Sequence, residues 1–245
     1  MIKKIEVLYE DDECLVVNKP EGLPVQGGSG AHTNLDDILK EMYSPRPLLT
    51  HRLDKDTSGA ALTAKSRAAA ARFSRAMADG TALKQYLAIC RAGYGAVTGD
   101  TGTIDESLTR KGVTKEARTR YRRLAENGGF ALYRLELGTG RTHQIRRHLA
   151  QNGLPVLGDR KYGDFALNRR LRREAGIKRL MLHAFRLALP LPNGRVLDVR
   201  APLPDCFTEA LKVFGMEFED TADDGLTGPQ FQVVPKIPSL PFREH

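Results

Sequence analysis

Alternating apolar and polar positions, the pattern of half-buried strands, recur along most of the chain. Three pairs of such segments flank turn sequences and therefore predict β-hairpins. The pairs are 5–9 with 14–18, 116–126 with 130–138, and LMLHAFRLALPL with RVLDVRAPL around Pro192-Asn193-Gly194. Further strands are predicted in KQYLAICRAG and on both sides of the polar loop in LLTHRLDKDTSGAALTAKS.

Helical spacing of apolar residues is confined to a few segments. Asn34 can cap a helix in LDDILKEMY, and Ser66 can cap an alanine-rich helix that ends at Asp79 before Gly80. Helices are also expected from Thr142 to Asn152 and within NRRLRREAGIKR at 168–179. Many antiparallel strands with interspersed helices predict an α+β fold, built on a mixed, mostly antiparallel sheet with flanking helices. We expect one domain over residues 1–219 and an extended tail over residues 220–245.

Composition narrows the class of protein. The chain has 245 residues, 41% of them hydrophobic, and contains no apolar run of about 18 residues that could span a bilayer. Its first residues lack the apolar block of a signal peptide, which predicts a cytoplasmic protein without a membrane partner. The cysteines, Cys14, Cys90 and Cys206, are widely spaced, so we expect buried thiols and neither disulfides nor a cysteine zinc site.

The charge is unevenly distributed. Lys and Arg number 38 against 30 Asp and Glu, and residues 1–200 carry 35 against 22. A strongly basic body indicates a polyanionic partner such as RNA or DNA, although a solvated Arg-rich surface would look the same. The side chains best suited to hold phosphates are Arg169, Arg170, Arg172, Arg173, Lys178 and Arg179, and a solvated helix face is the alternative for them.

Several polar clusters could carry chemistry. The GGSG loop is not followed by GxxxxGK[ST], so we interpret it as a flexible loop and expect no nucleotide cofactor. His143 and His148 lie about 140° apart on a helix, and no metal site is expected. Ser58 lies in TSG rather than GxSxG, without an obviously placed histidine, so a turn role is expected. Asp54 remains, as a turn carboxylate or a reactive one.

The blocks around these residues resemble a known family. HRLDKDTSG at 51–59 is similar to the signature of the RluA-type pseudouridine synthases. NKPEGLPV, KQYLA, GRTHQIRRHLAQNGLPVLGDRKYG and LHA agree with the family in the same order. The resemblance covers residues 5 to about 204 and implies the family's catalytic-domain fold; no S4-type RNA-binding domain is expected before it.

The resemblance implies an RNA pseudouridine synthase, an isomerase that acts without a cofactor on uridines of ribosomal or transfer RNA. Asp54 matches the family's catalytic Asp, Tyr86 its active-site Tyr, and Arg146 the Arg that pairs with the Asp. Arg52 matches an Arg that fills the gap left by the flipped nucleotide, and a phosphate contact is its alternative. Further RNA contacts are expected from His51, Thr57, Arg141, His143, Arg169, Arg170 and Arg173.

Each of these roles has a plain structural alternative. Tyr86 could be an ordinary strand tyrosine, and Arg146 could lie over the sheet surface. Whether the carboxylate adds to C1′ of the ribose, adds to C6 of the uracil or promotes elimination is left open. For the whole chain, the competing classes are a non-catalytic RNA-binding or RNA-folding protein on the same fold and a nucleoside glycosidase. We expect a monomer.

Overall fold

The structure, a computed structural model, describes residues 5–27, 33–93 and 99–220. Its helices are α1 (Leu35–Met42), α2 (Arg67–Asp79), α3 (Gln144–Gln151), α4 (Phe165–Glu174) and α5 (Asp205–Val213). Its strands are β1 (Glu6–Glu10), β2 (Cys14–Lys19), β3 (Leu48–Leu49), β4 (Ser58–Ala64), β5 (Leu83–Arg91), β6 (Thr101–Ile104), β7 (Leu108–Arg110), β8 (Val113–Lys115), β9 (Thr119–Asn127), β10 (Phe130–Leu137), β11 (Leu182–Pro190) and β12 (Val196–Arg200). Residues 28–30 of the predicted GGSG loop and 221–245 of the predicted tail lie outside the described residues, so the division of the chain at residue 219 stays a prediction.

Ten of these strands form one sheet in the order β1-β2-β4-β11-β5-β10-β9-β6, with β3 beside β4 and β12 beside β11. Strands β7 and β8 form a separate hairpin. Among the described strand pairs, β4 and β11 are parallel and the others are antiparallel, as the mixed, mostly antiparallel prediction requires.

The parallel contact between β4 and β11 divides the sheet into two halves. It consists of two register pairs, Ser58 with His183 and Gly59 with Ala184. We call this contact the seam, β1 to β4 the first half of the sheet, and β5, β6 and β9 to β12 the second half. Only two residue pairs join β4 to β11. Side chains beside the seam therefore contribute a large share of the contacts that hold the two halves together.

Both faces of the sheet are covered. On one face, Phe73 of α2 packs in a buried cluster with Leu62 of β4 and Leu187 of β11. The other face holds a larger cluster, to which α1, α3 and α5 contribute Leu39, Leu149 and Phe207. Alternate residues of β2 enter opposite clusters, which explains why strands such as Cys14–Lys19 are apolar on both sides.

Local capping signals were good predictors. The side chain of Asn34 accepts a hydrogen bond from the amide of Asp37 at 3.0 Å, and that of Ser66 accepts one from Ala69 at 3.1 Å. Gly80 adopts a φ of 86° and ends α2 as predicted. The three predicted hairpins are confirmed as β1–β2, β9–β10 and β11–β12.

Two helix boundaries were wrong. Helix α3 begins at Gln144, not at Thr142, because the preceding residues form a turn that ends with His143 at a φ of 54°. Helix α4 begins earlier than predicted, since Asp164 caps it by accepting the amide of Leu167 at 3.0 Å. It ends at Glu174, so residues 176–179 are not helical.

Some short elements were not predicted, namely β6, β7, β8 and α5. Cys14 and Cys90 are buried as expected, whereas Cys206 on α5 is partly exposed, which corrects the prediction of three buried thiols. Among the described helices, none is both long enough and apolar enough to cross a membrane.

Candidate active site

The loop between β3 and β4 carries Asp54. Its backbone is fixed by a turn in which the amide of Thr57 donates to the carbonyl of Asp54 at 3.1 Å. The buried ammonium of Lys19, on β2, donates to the carbonyl of Lys55 at 3.0 Å. The Asp54 side chain remains 24% exposed, so a substrate can reach a carboxylate whose backbone is held firmly.

Arg146 connects Asp54 to a second, buried carboxylate. One of its terminal nitrogens donates to Oδ2 of Asp54 at 3.3 Å. Its Nε and other terminal nitrogen grip both oxygens of Asp159, at 2.7 and 2.8 Å. The sequence analysis assigned Asp54 as the partner of Arg146, and the structure adds Asp159 as the partner that receives the two-pronged contact.

Asp159 is almost fully buried and also accepts the amides of Lys161 at 2.8 Å and Tyr162 at 3.0 Å. Burial alone would raise the pKa of Asp159, but the hydrogen bonds from Arg146 and these amides lower it. Burial acts against the charge of Arg146 too, yet its two carboxylate partners raise its pKa. The pair is therefore ionised and fixes the guanidinium beside Asp54.

His143 faces the other oxygen of the Asp54 carboxylate. Its Nε2 lies 3.8 Å from Oδ1 of Asp54, and its Nδ1 is 3.0 Å from the hydroxyl of Tyr162. The guanidinium of Arg146 lies 5.2 Å from the centre of the Tyr162 ring. Burial lowers the pKa of His143, so its ring is neutral at pH 7. Arg146, and not His143, therefore balances the charge of Asp54.

A cavity of about 330 Å³ opens in front of Asp54 and is lined by Tyr86 of β5 and by Arg146. This volume suits one small ligand or one extruded nucleotide. Tyr86 is 9% exposed, and burial followed by the charge of Asp54 raises its pKa, so a neutral phenol faces the cavity at pH 7. The structure thus brings together the three predicted catalytic side chains from distant parts of the chain.

The predicted RNA contacts divide into two groups. His51, Arg52, Thr57, Arg141 and His143 line the cavity. Arg52 and Arg141 are exposed, whereas Thr57 is buried and Nε2 of His51 accepts the amide of Leu62 at 2.9 Å. His51 and Thr57 therefore take part in the packing and hydrogen bonding of the fold, which the prediction of RNA contacts did not include.

The basic residues of α4 lie elsewhere. Arg169, with Arg172 and Lys178, lines a separate cavity, and Arg170 pairs with Glu174 at 3.7 Å. Arg173 is exposed. The expectation that Arg179 holds phosphate was wrong, because Arg179 is 9% exposed and forms an ion pair with Glu21.

The expected turn role of Ser58 was also wrong. Ser58 is the first residue of β4 and is 2% exposed. Its Oγ lies 2.8 Å from Nδ1 of His183 and accepts a hydrogen bond from Arg179 at 2.7 Å. A histidine does lie beside this serine, but the Ser58 hydroxyl is almost fully buried and is already bonded to His183 and Arg179.

A groove that the sequence analysis did not predict adjoins the cavity. It shares Gly140 and Arg141 with the cavity and has a volume of about 540 Å³. Besides Arg141, its basic side chains come from the β7–β8 hairpin and from α3, and they are Arg110, Lys111, Lys115 and Arg147. We call this surface the basic groove. Arg110, Lys111 and Lys115 lie close together in the sequence, whereas Arg141 and Arg147 follow later, so the fold brings the two groups together.

Comparison with known proteins identifies the family. Residues 13–151, more than half of the chain, match the family model described as RNA pseudouridylate synthase. The chain belongs to this family. Membership confirms the resemblance to the RluA-type enzymes and gives the enzyme class, an RNA pseudouridine synthase, which is an isomerase.

Individual family members agree over most of their length. The chain is 34% identical to ribosomal large subunit pseudouridine synthase D of Haemophilus influenzae, over 89% of this chain and 74% of that protein. It is 36% identical to ribosomal large subunit pseudouridine synthase C of Escherichia coli O157:H7, over 84% of this chain and 69% of that protein. The structure of human RNA pseudouridylate synthase domain containing 4 has a TM-score of 0.73 and 26% identity, over 87% of this chain and 94% of that one. The predicted α+β pseudouridine synthase fold is therefore confirmed.

Proposed function

We propose that this pseudouridine synthase isomerises uridines of ribosomal RNA, with Asp54 as its nucleophile. The contact that carries the proposal is the one between Asp54 and Arg146, at 3.3 Å, at a cavity that also presents Tyr86. The choice of ribosomal RNA is supported by relatives named for the large ribosomal subunit. The cytoplasm is the compartment that suits this substrate, and a monomer remains our expectation.

The reaction explains why a carboxylate is needed here. Pseudouridine formation breaks the bond between N1 of uracil and C1′ of ribose, turns the base and joins C5 to C1′. The proton of C5 is lost and N1 gains one, so the product is an isomer and no oxidant or group donor takes part. A carboxylate oxygen can hold the detached fragment covalently while the base turns. Arg146 aims that oxygen and balances its charge.

Tyr86 suits contact with the flipped uracil. Its ring lines the cavity that Asp54 faces, so an extruded base would pack against it. Because its pKa is raised, its hydroxyl is protonated at neutral pH. It can accept the C5 proton only while it passes its own proton on, and the Asp54 carboxylate can receive that proton once its bond to the substrate has broken.

The basic groove suits the RNA strand that continues from the flipped nucleotide. Arg141 belongs to both the cavity and the groove, and Arg147 projects from the same helix as Arg146. Lys and Arg side chains along such a groove neutralise phosphates without reading the bases. Selection of one uridine would then depend on the fold of the RNA as well as on its sequence.

The test replaces Asp54 by asparagine. Asp54→Asn keeps the shape of the side chain but removes the anionic nucleophile, so release of tritium from ribosomal RNA labelled at C5 of uracil should fall at least about a thousandfold. Binding of the RNA should change less than about threefold. Asp56→Asn is the matched control, because Asp56 is an exposed carboxylate in the same loop.

Near-wild-type turnover by Asp54→Asn would contradict the assigned nucleophile. Product analysis covers the other classes of protein. Free uracil in place of pseudouridine would indicate a glycosidase, and RNA binding without either product would indicate a non-catalytic RNA-binding protein.

A further inference from the structure

The candidate active site is assembled across the seam. Asp54 is carried by the loop that leads into β4, in the first half of the sheet. Tyr86 is on β5, and Arg146 is on α3, which contacts β9, so both belong to the second half. The distance between nucleophile and partners therefore depends on how β4 meets β11.

A chain of polar side chains, buried except for Glu21 at its end, crosses the seam beside the two register pairs. Arg179, from the segment before β11, donates to Oγ of Ser58 at 2.7 Å and pairs with Glu21 in the loop after β2. Ser58 in turn is 2.8 Å from Nδ1 of His183, on β11. Each of these contacts joins a residue of the first half to a residue of the second. We call Glu21, Ser58, Arg179 and His183 the seam network.

The direction of these hydrogen bonds follows from the donors available. Arginine has donors only, so Oγ of Ser58 accepts from Arg179. The carbonyl of Ala201 beside Nε2 of His183 only accepts, so in a neutral ring Nε2 carries the hydrogen and Nδ1 accepts from the hydroxyl of Ser58. The Nε2 hydrogen of His183 then points to the carbonyl of Ala201, at 3.4 Å. His183 is fully buried, and its pKa is lowered to about 4 by burial and by Arg179, so the neutral ring that this arrangement needs is the form present at pH 7.

The backbones at the seam leave little freedom. A Cβ atom at Gly59 would lie 2.2 Å from the carbonyl oxygen of Ala184, so only glycine permits this approach of β4 to β11. Ser58 is the neighbour of Gly59 and follows Asp54 by four residues. The turn from Asp54 to Thr57 and the contact of Lys19 with Lys55 make the intervening loop stiff. A shift of Ser58 would therefore be passed on to Asp54.

We propose that Ser58, His183 and Arg179 are positioning residues, which set Asp54 at its distance from Arg146 and Tyr86 by fixing the seam. They are at most 9% exposed, so the proposal assigns them no direct contact with RNA. The proposal rests on the proposed role of Asp54, because the network is assigned a catalytic effect only through that carboxylate.

The experiment compares two buried hydroxyls of the same strand. Ser58→Ala removes the contacts that cross the seam. Thr63→Val removes a hydroxyl that is 0% exposed and donates to the carbonyl of Leu15 at 3.0 Å, entirely within the first half. We measure kcat and KM for tritium release from ribosomal RNA, and urea unfolding for both variants.

Ser58→Ala should lower kcat at least about tenfold with KM within about twofold of wild type, because a misplaced nucleophile still allows the RNA to bind. Thr63→Val should keep kcat within about twofold even where its stability loss is similar. Arg179→Lys keeps a positive charge that can pair with Glu21 but has no second nitrogen to donate to Ser58. Its kcat should therefore lie between those of wild type and Arg179→Met. A kcat of Ser58→Ala within twofold of wild type, or equal losses for Ser58→Ala and Thr63→Val, would overturn the proposal.

Amide hydrogen exchange measures how readily the backbone at the seam opens, and it needs no substrate. Peptides that cover residues 51–60 and 182–186 should exchange faster in Ser58→Ala and unchanged in Thr63→Val. If wild type fails to turn over ribosomal RNA, the proposed function fails, while faster exchange in Ser58→Ala still supports the seam network. Unchanged exchange in Ser58→Ala contradicts the network, whatever the activity.

Discussion

Arg146 is a cation with only 6% of its surface exposed, and two carboxylates share it unequally. Asp159 receives two hydrogen bonds and Asp54 one, at a longer distance. This inequality suits a site in which Asp54 must leave its ion pair to react while the guanidinium stays where it is. Asp159 is the residue that makes this possible.

Asp159→Asn should therefore damage both stability and catalysis. The substitution leaves a buried guanidinium without its main counter-charge, which costs about 3 kcal/mol or more in the free energy of unfolding. The guanidinium of Arg146 should then shift toward Asp54 and bind it more tightly. The kcat should therefore fall at least about tenfold. Urea unfolding and tritium release measure the two effects.

Asp105→Asn is the control for this prediction. Asp105 pairs with Arg118 at 3.0 Å, but both side chains are more than half exposed. An exposed pair contributes about 1 kcal/mol or less, so stability and kcat should stay close to wild type. Asp159→Asn with control-like values would show that Asp159 does not hold Arg146.

The residues that sequence reasoning found and missed differ in the range of their contacts. Asp54, Tyr86 and Arg146, which meet at one cavity, were proposed from motif resemblance, which reports residue identity. Asp159 lies within one of the matching blocks, yet its contact with Arg146 joins the loop before α4 to α3 and leaves no periodic or capping signal. The pairing of Ser58 with His183 bridges 125 positions and is invisible for the same reason.

At the level of elements, the β7–β8 hairpin and helix α4 offer two competing basic surfaces. The sequence favoured α4, where arginines are consecutive, but the hairpin lines the groove that adjoins the cavity. Arg110 is also tied to the active-site turn, since it donates to the hydroxyl of Thr142 at 2.7 Å. We therefore expect RNA to contact the hairpin.

Charge reversal separates the two surfaces. We compare affinities at salt concentrations between 50 and 200 mM. A triple variant of the hairpin, with Arg110, Lys111 and Lys115 changed to Glu, should bind RNA at least about tenfold more weakly than wild type. The slope of log affinity against log salt should decrease by about 2, given about 0.7 per phosphate contact in single strands. The matched variant of α4, with Arg169, Arg170 and Arg173 changed to Glu, should weaken binding less than about threefold. The reverse order would place the RNA on α4.

Elements were predictable where their ends carry local chemistry. Asn34, Ser66 and Gly80 mark helix ends through their own hydrogen bonds or φ, and two of the three hairpin turns contain Asn-Gly sequences. Strands β6, β7 and β8 have only three or four residues, too few for an alternating pattern to be recognised. The start of α3 was misplaced because His143 adopts the left-handed conformation, which tertiary contacts impose.

The whole molecule should lose stability on mild acidification. His183 and His51 have their pKa lowered to about 4 from an ordinary value of 6.5, chiefly by burial. The unfolded chain therefore binds these protons at a higher pH than the folded one does, so stability is fully present above about pH 6.5 and declines toward pH 4. Each histidine contributes a slope of up to about 1.4 kcal/mol per pH unit.

Urea unfolding at several pH values measures this loss. Between pH 7.5 and pH 5 the free energy of unfolding should fall by at least about 2 kcal/mol. His183→Gln should show a smaller fall, because it has no proton to take up, although its stability at pH 7.5 is lower. A stability that does not change between pH 7.5 and pH 5 would contradict the assigned ionisation states.

On the proposed role of Asp54, the seam also sets the stage of folding at which the active site becomes complete. The contact of Ser58 with His183 closes a stretch of 125 residues, and such distant pairings form late in folding because the chain must first lose the entropy of the open loop. During synthesis, β1, β2 and β4 can assemble long before β11 has been made. At that stage Asp54 lies on an assembled first half of the sheet, whereas Tyr86 and Arg146 reach their positions only when the second half has formed. A nascent chain therefore lacks a complete active site until β11 has paired with β4 across the seam.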